Sequence, residues 1–111
     1  MEISELVEAI VEITDEKKAE NIVTLNISQK SSLADYFVIC EGTSQRHVKT
    51  LQEELVDRLK EDGVRLLRTD IDPEHDWAVV DYGDVIVHIF RPQVRQKYRI
   101  EEFWSQKELR S

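Results

Sequence analysis

The stretch WAVVDYGDVIVHIF, residues 77–90, does most to limit the folds open to this chain. Two runs rich in Val and Ile, 77–82 and 84–91, meet at Tyr82-Gly83-Asp84, where Gly83 can take the positive φ of a tight hairpin turn. The pattern predicts an antiparallel pair of strands. In the second run Val85, Val87 and Ile89 share one face, and Ile86, His88 and Phe90 share the other. Both faces are largely apolar, so the strand needs a cover on both sides, complete on one and at least partial on the other. A helix layer supplies one cover. Asp81, Asp84 and His88, set among these apolar residues, then pose the functional question: a catalytic site, a metal site, or the border of a surface that binds another macromolecule.

The remaining elements follow from periodicity. Ile3, Leu6, Val7, Ile10 and Ile13 recur at helical spacing, which predicts an amphipathic helix over 3–18. Residues 21–27 alternate, with Val23, Leu25 and Ile27 on one face, as a strand does; 28–34 is a connection. DYFVICEG, 35–42, is a short and nearly unbroken apolar run, as expected of a central strand. Thr43 or Ser44 caps the next helix, whose buried stripe is Val48, Leu51, Leu55, Val56 and Leu59 and whose terminator is Gly63. A third strand is expected at 64–69, then an acidic loop at 70–76. Pro92 stops the last strand, and Gln93–Trp104 is a helical tail. The order α-β-β-α-β-β-β-α predicts an α+β fold on a mixed five-stranded sheet. The connection from the central strand through a helix to the third strand predicts a parallel, right-handed crossover. With 111 residues and neither repeats nor linkers, the expected organisation is one domain, 1–111.

Charge narrows the choice of partners. The formal net charge is −8, which repels phosphate backbones and disfavours nucleic acid as the main partner. Residues 70–84 hold Asp70, Asp72, Glu74, Asp76, Asp81 and Asp84 with no Lys or Arg, a segment that suits a basic protein partner or, more blandly, a solvated surface. The single Cys40 cannot form an internal disulfide, the first residues are acidic, and no apolar run approaches a membrane span. The expectation is a cytoplasmic protein with no membrane partner.

The candidate chemistry is thin. A strand ending in Gly42-Thr43-Ser44 and leading into a helix resembles the phosphate-holding turn of a nucleotidyltransferase, and Asp70 with Asp72 resembles its metal-holding acid pair. That pair, however, falls in a predicted loop beside Pro73, with no cation near enough to neutralise a triphosphate. His47, His75 and His88 match no ligand spacing, so no metal and no cofactor is expected. Cys40 lies inside an apolar run, where a thiol is inert. His47 reads as a surface or capping residue. His88 reads as a half-buried histidine bonded to an acid such as Asp81.

Two longer stretches resemble one family. ADYFVICEGTSQRHVKTL (34–51) and WAVVDYGDVIVHIFRPQVRQKYRIEEFW (77–104) are similar to the ribosomal silencing factors, also called iojap-like proteins. The residues that carry the resemblance are Asp35 to Ile39, Gly42 to Val48, Trp77, Asp81 to His88, Arg95, Tyr98, Glu101 and Trp104. Ile100 and Phe103 stand where the family has Leu. The resemblance implies a nucleotidyltransferase-like scaffold without catalysis, which binds the large ribosomal subunit through its protein number fourteen. There it blocks joining of the small subunit when nutrients are short. It also implies a role in large-subunit assembly and a homodimer when free. On this reading the partner-binding residues are Trp77, Ala78, Val80, Asp81, Tyr82, Asp84 and His88, with Trp77 at the apolar centre and the acids at the border. The alternative is a nucleotide-binding or residual nucleotidyltransferase.

Overall fold

A computed structural model describes residues 1–98. The observed order is α1 (Ile3–Glu16), β1 (Glu20–Asn26), β2 (Tyr36–Glu41), α2 (Gln45–Glu61), β3 (Arg68–Ile71), β4 (Trp77–Asp81), β5 (Val85–Phe90) and α3 (Pro92–Tyr98). The rest of the predicted tail, with Ile100, Glu101, Phe103 and Trp104, lies outside the described residues.

The strands form one mixed sheet in the order β1-β2-β5-β4-β3. β2 and β5 are the parallel neighbours at its centre, with Ile39 opposite His88. The other three pairings are antiparallel. β3 thus runs parallel to β2, as the helical crossover requires, but at the far edge with β5 and β4 between them.

Period-two alternation divides the strands between two cores. Val38, Cys40, Ala78, Val80, Val85, Val87 and Ile89 pack with Leu6, Ile10 and Ile13 of α1 and with Val48, Leu51, Leu55 and Leu59 of α2. On the opposite face Phe37, Ile39 and Phe90 join Ile27 and Ala34, with Leu25, Trp77, Ile86 and Val94 of α3 packed against them. Both faces of β5 are therefore covered, as its sequence requires.

Helix ends follow local chemistry. Ser44 caps α2, its Oγ accepting from the His47 amide at 3.0 Å. Gly63 (φ 79°) takes the left-handed conformation beyond its end. Lys18 (φ 69°) is also left-handed and stops α1 two residues before the predicted boundary. The third strand is displaced from 64–69 to Arg68–Ile71. Val64 and Leu66 are half-buried against the helix-side core, so core packing rather than a sheet partner accounts for their alternation. Pairing with β4 sets in at Arg68 opposite Asp81 and ends at Ile71 opposite Ala78. Asp70 is consequently a strand residue, and the acidic loop shortens to 72–76. Pro92 opens α3 at its first position, where its missing N–H costs nothing.

Candidate docking surface

The loop before β4 is built by one carboxylate. Asp72 Oδ1 accepts from the amides of Asp76 (2.6 Å) and Trp77 (2.8 Å), and Oδ2 accepts from Glu74 (3.2 Å). These bonds turn the chain at His75 (φ 56°) and aim Trp77 along the sheet. The indole lies over Phe90 with ring centroids 5.1 Å apart, and its Nε1–H donates to His88 Nδ1 at 3.3 Å. Trp77 thus lies along the sheet face, half-buried, and does not reach outward from a strand end.

His88 sits among three rings. Phe37 meets it edge-on at 4.8 Å, and Phe90 stacks at 5.9 Å. The expected hydrogen bond to Asp81 does not form. The indole takes that place, which leaves Nδ1 as acceptor and puts the proton on Nε2, a buried atom with no hydrogen-bond partner. Burial pushes the imidazole down to about 4, against the opposing pull of the Asp81 charge. The unfolded chain, titrating near 6.5, takes up the proton first. The contribution of His88 to stability is thus complete above about pH 6.5 and declines as pH falls towards 4, by on the order of 3 kcal/mol at the limit. His88→Leu should flatten the slope of stability against pH across that window in denaturant titrations. An unchanged slope would contradict the burial argument.

Strand alternation separates the other expected partner-binding residues. Ala78, Val80 and Tyr82 point to the helix side and are buried there. The Tyr82 hydroxyl approaches the Leu55 carbonyl at 3.5 Å, and burial pushes its phenol up to about 12. These three belong to the core and do not reach the surface of the folded monomer. Trp77, Val79, Asp81 and Ile86 lie on the face away from α1 and α2 and keep partial exposure, while Asp84 at the hairpin tip is exposed.

The acidic segment is less bare than its sequence implies. Arg68 on β3 approaches Asp81 at 3.6 Å and Asp70 at 3.8 Å. Arg91 approaches Asp76 at 3.5 Å. Asp81 Oδ1 also holds the hairpin tip by accepting from the Gly83 amide at 2.8 Å. Glu74 and Asp84 remain as exposed acids at either end.

The turn at Gly42-Thr43-Ser44 is occupied by the protein's own groups. The Thr43 amide donates to His47 Nδ1 at 2.9 Å, and the His47 amide to Ser44 Oγ. His47 Nε2 donates to the Lys17 carbonyl at 2.9 Å, which ties the start of α2 to the end of α1. The amides that would cradle a phosphate are therefore partly spent. Gly42 is explained by contact: a Cβ there would lie 2.8 Å from Val48 Cγ2 and 2.9 Å from Val48 N. Because the obstacle includes helix backbone, Gly42→Ala should cost about 1–3 kcal/mol, read as a lower denaturation midpoint. A midpoint equal to wild type would show that α2 can shift freely. Burial pushes the Cys40 thiol up to about 12, an inert core residue. Among the described residues no three His, Cys, Asp or Glu side chains gather to hold a metal ion. Among them, too, no helix is long and apolar enough to cross a membrane.

One polar cluster was not anticipated. Arg95 of α3 donates to Glu41 Oε2 at 3.0 Å and to the Asn21 carbonyl at 2.6 Å, and Asn21 Nδ2 donates to Glu41 Oε1 at 3.0 Å. Arg95 and Glu41 are both buried. The one sequence signal was an acid closing an apolar strand; its partner lies 54 residues away.

With α1 and α2 on one sheet face, and on the other aromatic and aliphatic side chains with α3 against them and an acidic border, the chain is a small α+β protein. More specifically, the chain belongs to the family described as ribosomal silencing factor during starvation, whose sequence model matches residues 1–111. The ribosomal silencing factor RsfS of Halalkalibacterium halodurans is 37% identical over 101 residues, 91% of this chain and 86% of that one. A crystal structure of a Chromobacterium violaceum protein superposes with a TM-score of 0.91 at 35% identity, covering 95% of this chain and 88% of that one. The mouse protein named mitochondrial assembly of ribosomal large subunit protein 1 is 29% identical over 105 residues, 89% of this chain and 45% of that one.

Proposed function

We propose that this protein docks on the large ribosomal subunit, at its protein number fourteen, and so keeps the small subunit from joining. The observation that carries the reading is the partly exposed apolar set Trp77, Val79 and Ile86, bordered by Asp81, Asp84 and Glu74, in a chain of this family. An apolar centre with a charged rim is the usual plan of a protein–protein contact. The acids favour a basic partner. The reading is non-enzymatic, and the self-capped start of α2 supports that. A cytoplasmic location, a homodimer in the free state and assistance in large-subunit assembly belong to the same reading, the last supported by the name of the mouse relative.

Sedimentation tests it. The protein should pellet with purified large subunits and stay in the supernatant with joined ribosomes; equal recovery with both contradicts the blocking mechanism. Calorimetric titration with nucleoside triphosphate and magnesium should give no heat, and a saturable signal would favour a nucleotide binder instead.

A further inference from the structure

The cation at the centre of the acidic border needs an explanation. Arg68 comes from the edge strand β3 and stands directly opposite Asp81 of β4. Both side chains lie on the face away from α1 and α2. The guanidinium touches two carboxylates, Nε at 3.6 Å from Asp81 and Nη1 at 3.8 Å from Asp70. The pair is asymmetric in exposure: the Arg68 side chain is 68% exposed, while that of Asp81 is 17% exposed. The Asp81 carboxylate is anchored from behind by the Gly83 amide, so it stays in place whatever Arg68 does. Arg68 rests on it from the solvent side through long contacts, and a pair this long with one exposed partner holds weakly. Asp81 is therefore a fixed anion under a loosely held cover of opposite sign, two residues along β4 from Val79 and opposite Ile86 of β5.

We propose that Arg68 is an internal stand-in for the partner's basic side chain. It occupies Asp81 in the free protein and yields to a Lys or Arg of the partner on docking. This rests on the reading of that face as the docking surface. The arrangement sets specificity by charge. A neutral surface gains nothing by displacing Arg68, and an isolated cation competes at a disadvantage with a tethered one. Only a partner that also covers the apolar centre can displace it.

The test is a four-way cycle with wild type, Arg68→Gln, Asp81→Asn and the double variant, each titrated with purified large subunits at low and high salt. Arg68 is exposed and on an edge strand, and Asn at position 81 keeps an Oδ1 to accept from the Gly83 amide, so melting curves of all four should nearly coincide. Arg68→Gln should bind about three- to tenfold tighter than wild type at low salt, and the gain should shrink at high salt. Asp81→Asn should bind more weakly, and adding Arg68→Gln to it should recover little. If wild type binds but Arg68→Gln binds equally or less well, Arg68 is no stand-in and the proposal falls while the docking surface stands. If none of the four binds, the docking reading fails and this proposal fails with it.

Discussion

Arg95→Ala should be the most damaging single change on the sheet face away from α1 and α2, at about 3–5 kcal/mol of stability. The cost does not come from losing a favourable ion pair, since buried pairs gain little over apolar residues of the same size. It comes from what remains. Glu41 would keep a carboxylate in a buried position with only the Asn21 amide beside it, and the Asn21 carbonyl would lose its 2.6 Å donor. α3 would also lose its anchor to β1 and β2. The comparison that isolates this cause is Arg95→Met combined with Glu41→Met. The double variant should recover most of the loss in denaturant titrations, because it removes both charges. A double variant as unstable as Arg95→Ala would show that packing of α3, and not the stranded carboxylate, carries the effect.

Trp77→Ala should have the largest effect on docking, about 30- to 1,000-fold in affinity for the large subunit, the range for truncating an aromatic at an interface centre. The structure adds a second effect. The indole stacks on Phe90 and donates to His88, so the variant also leaves a gap on the sheet and a histidine without its donor. About 1–3 kcal/mol of stability should go with it, less than for a fully buried aromatic. Trp77→Phe separates the two roles by keeping a ring on Phe90 and dropping the N–H. It should melt close to wild type yet bind more weakly. Full binding by Trp77→Ala at concentrations near the wild-type Kd would remove Trp77 from the docking surface.

Periodicity made most of the fold legible. The alternation in 77–90 predicted both the hairpin and the double covering of β5, because each side chain in a strand has only two directions to choose from. The same rule should have warned that Ala78, Val80 and Tyr82 could not share a surface with Trp77 and Asp81. Closeness in sequence alone brings residues of both faces together. β3 lies further along than the pattern predicts because Val64 and Leu66 alternate like a strand but pack half-buried on the helix-side core without a strand partner, while the paired residues Arg68 to Asp70 are polar. Their place is set by β4, which local pattern cannot report. The Trp77–His88 bond and the Glu41–Arg95 pair escaped for a related reason. Each joins elements whose adjacency exists only once the sheet is assembled, and a nearby acid such as Asp81 looked the better partner for His88 on charge alone.

Among the described residues the last strand in sequence is the middle strand in space: β5 fits between β2 and β4 and joins the two halves of the sheet. A chain emerging from synthesis therefore holds two separate pairs of elements, β1 with β2 and β3 with its own neighbour, until residue 90 is available to join them. No partial sheet of five-stranded character exists before that point, and a chain cut short of β5 leaves two hydrogen-bonding edges bare side by side, a template for clumping. In the finished protein the same insertion grades protection from solvent exchange. Amides of β5 should exchange last, with opening of the whole sheet, whereas those of β1 and β3, each with one neighbour, should fray first.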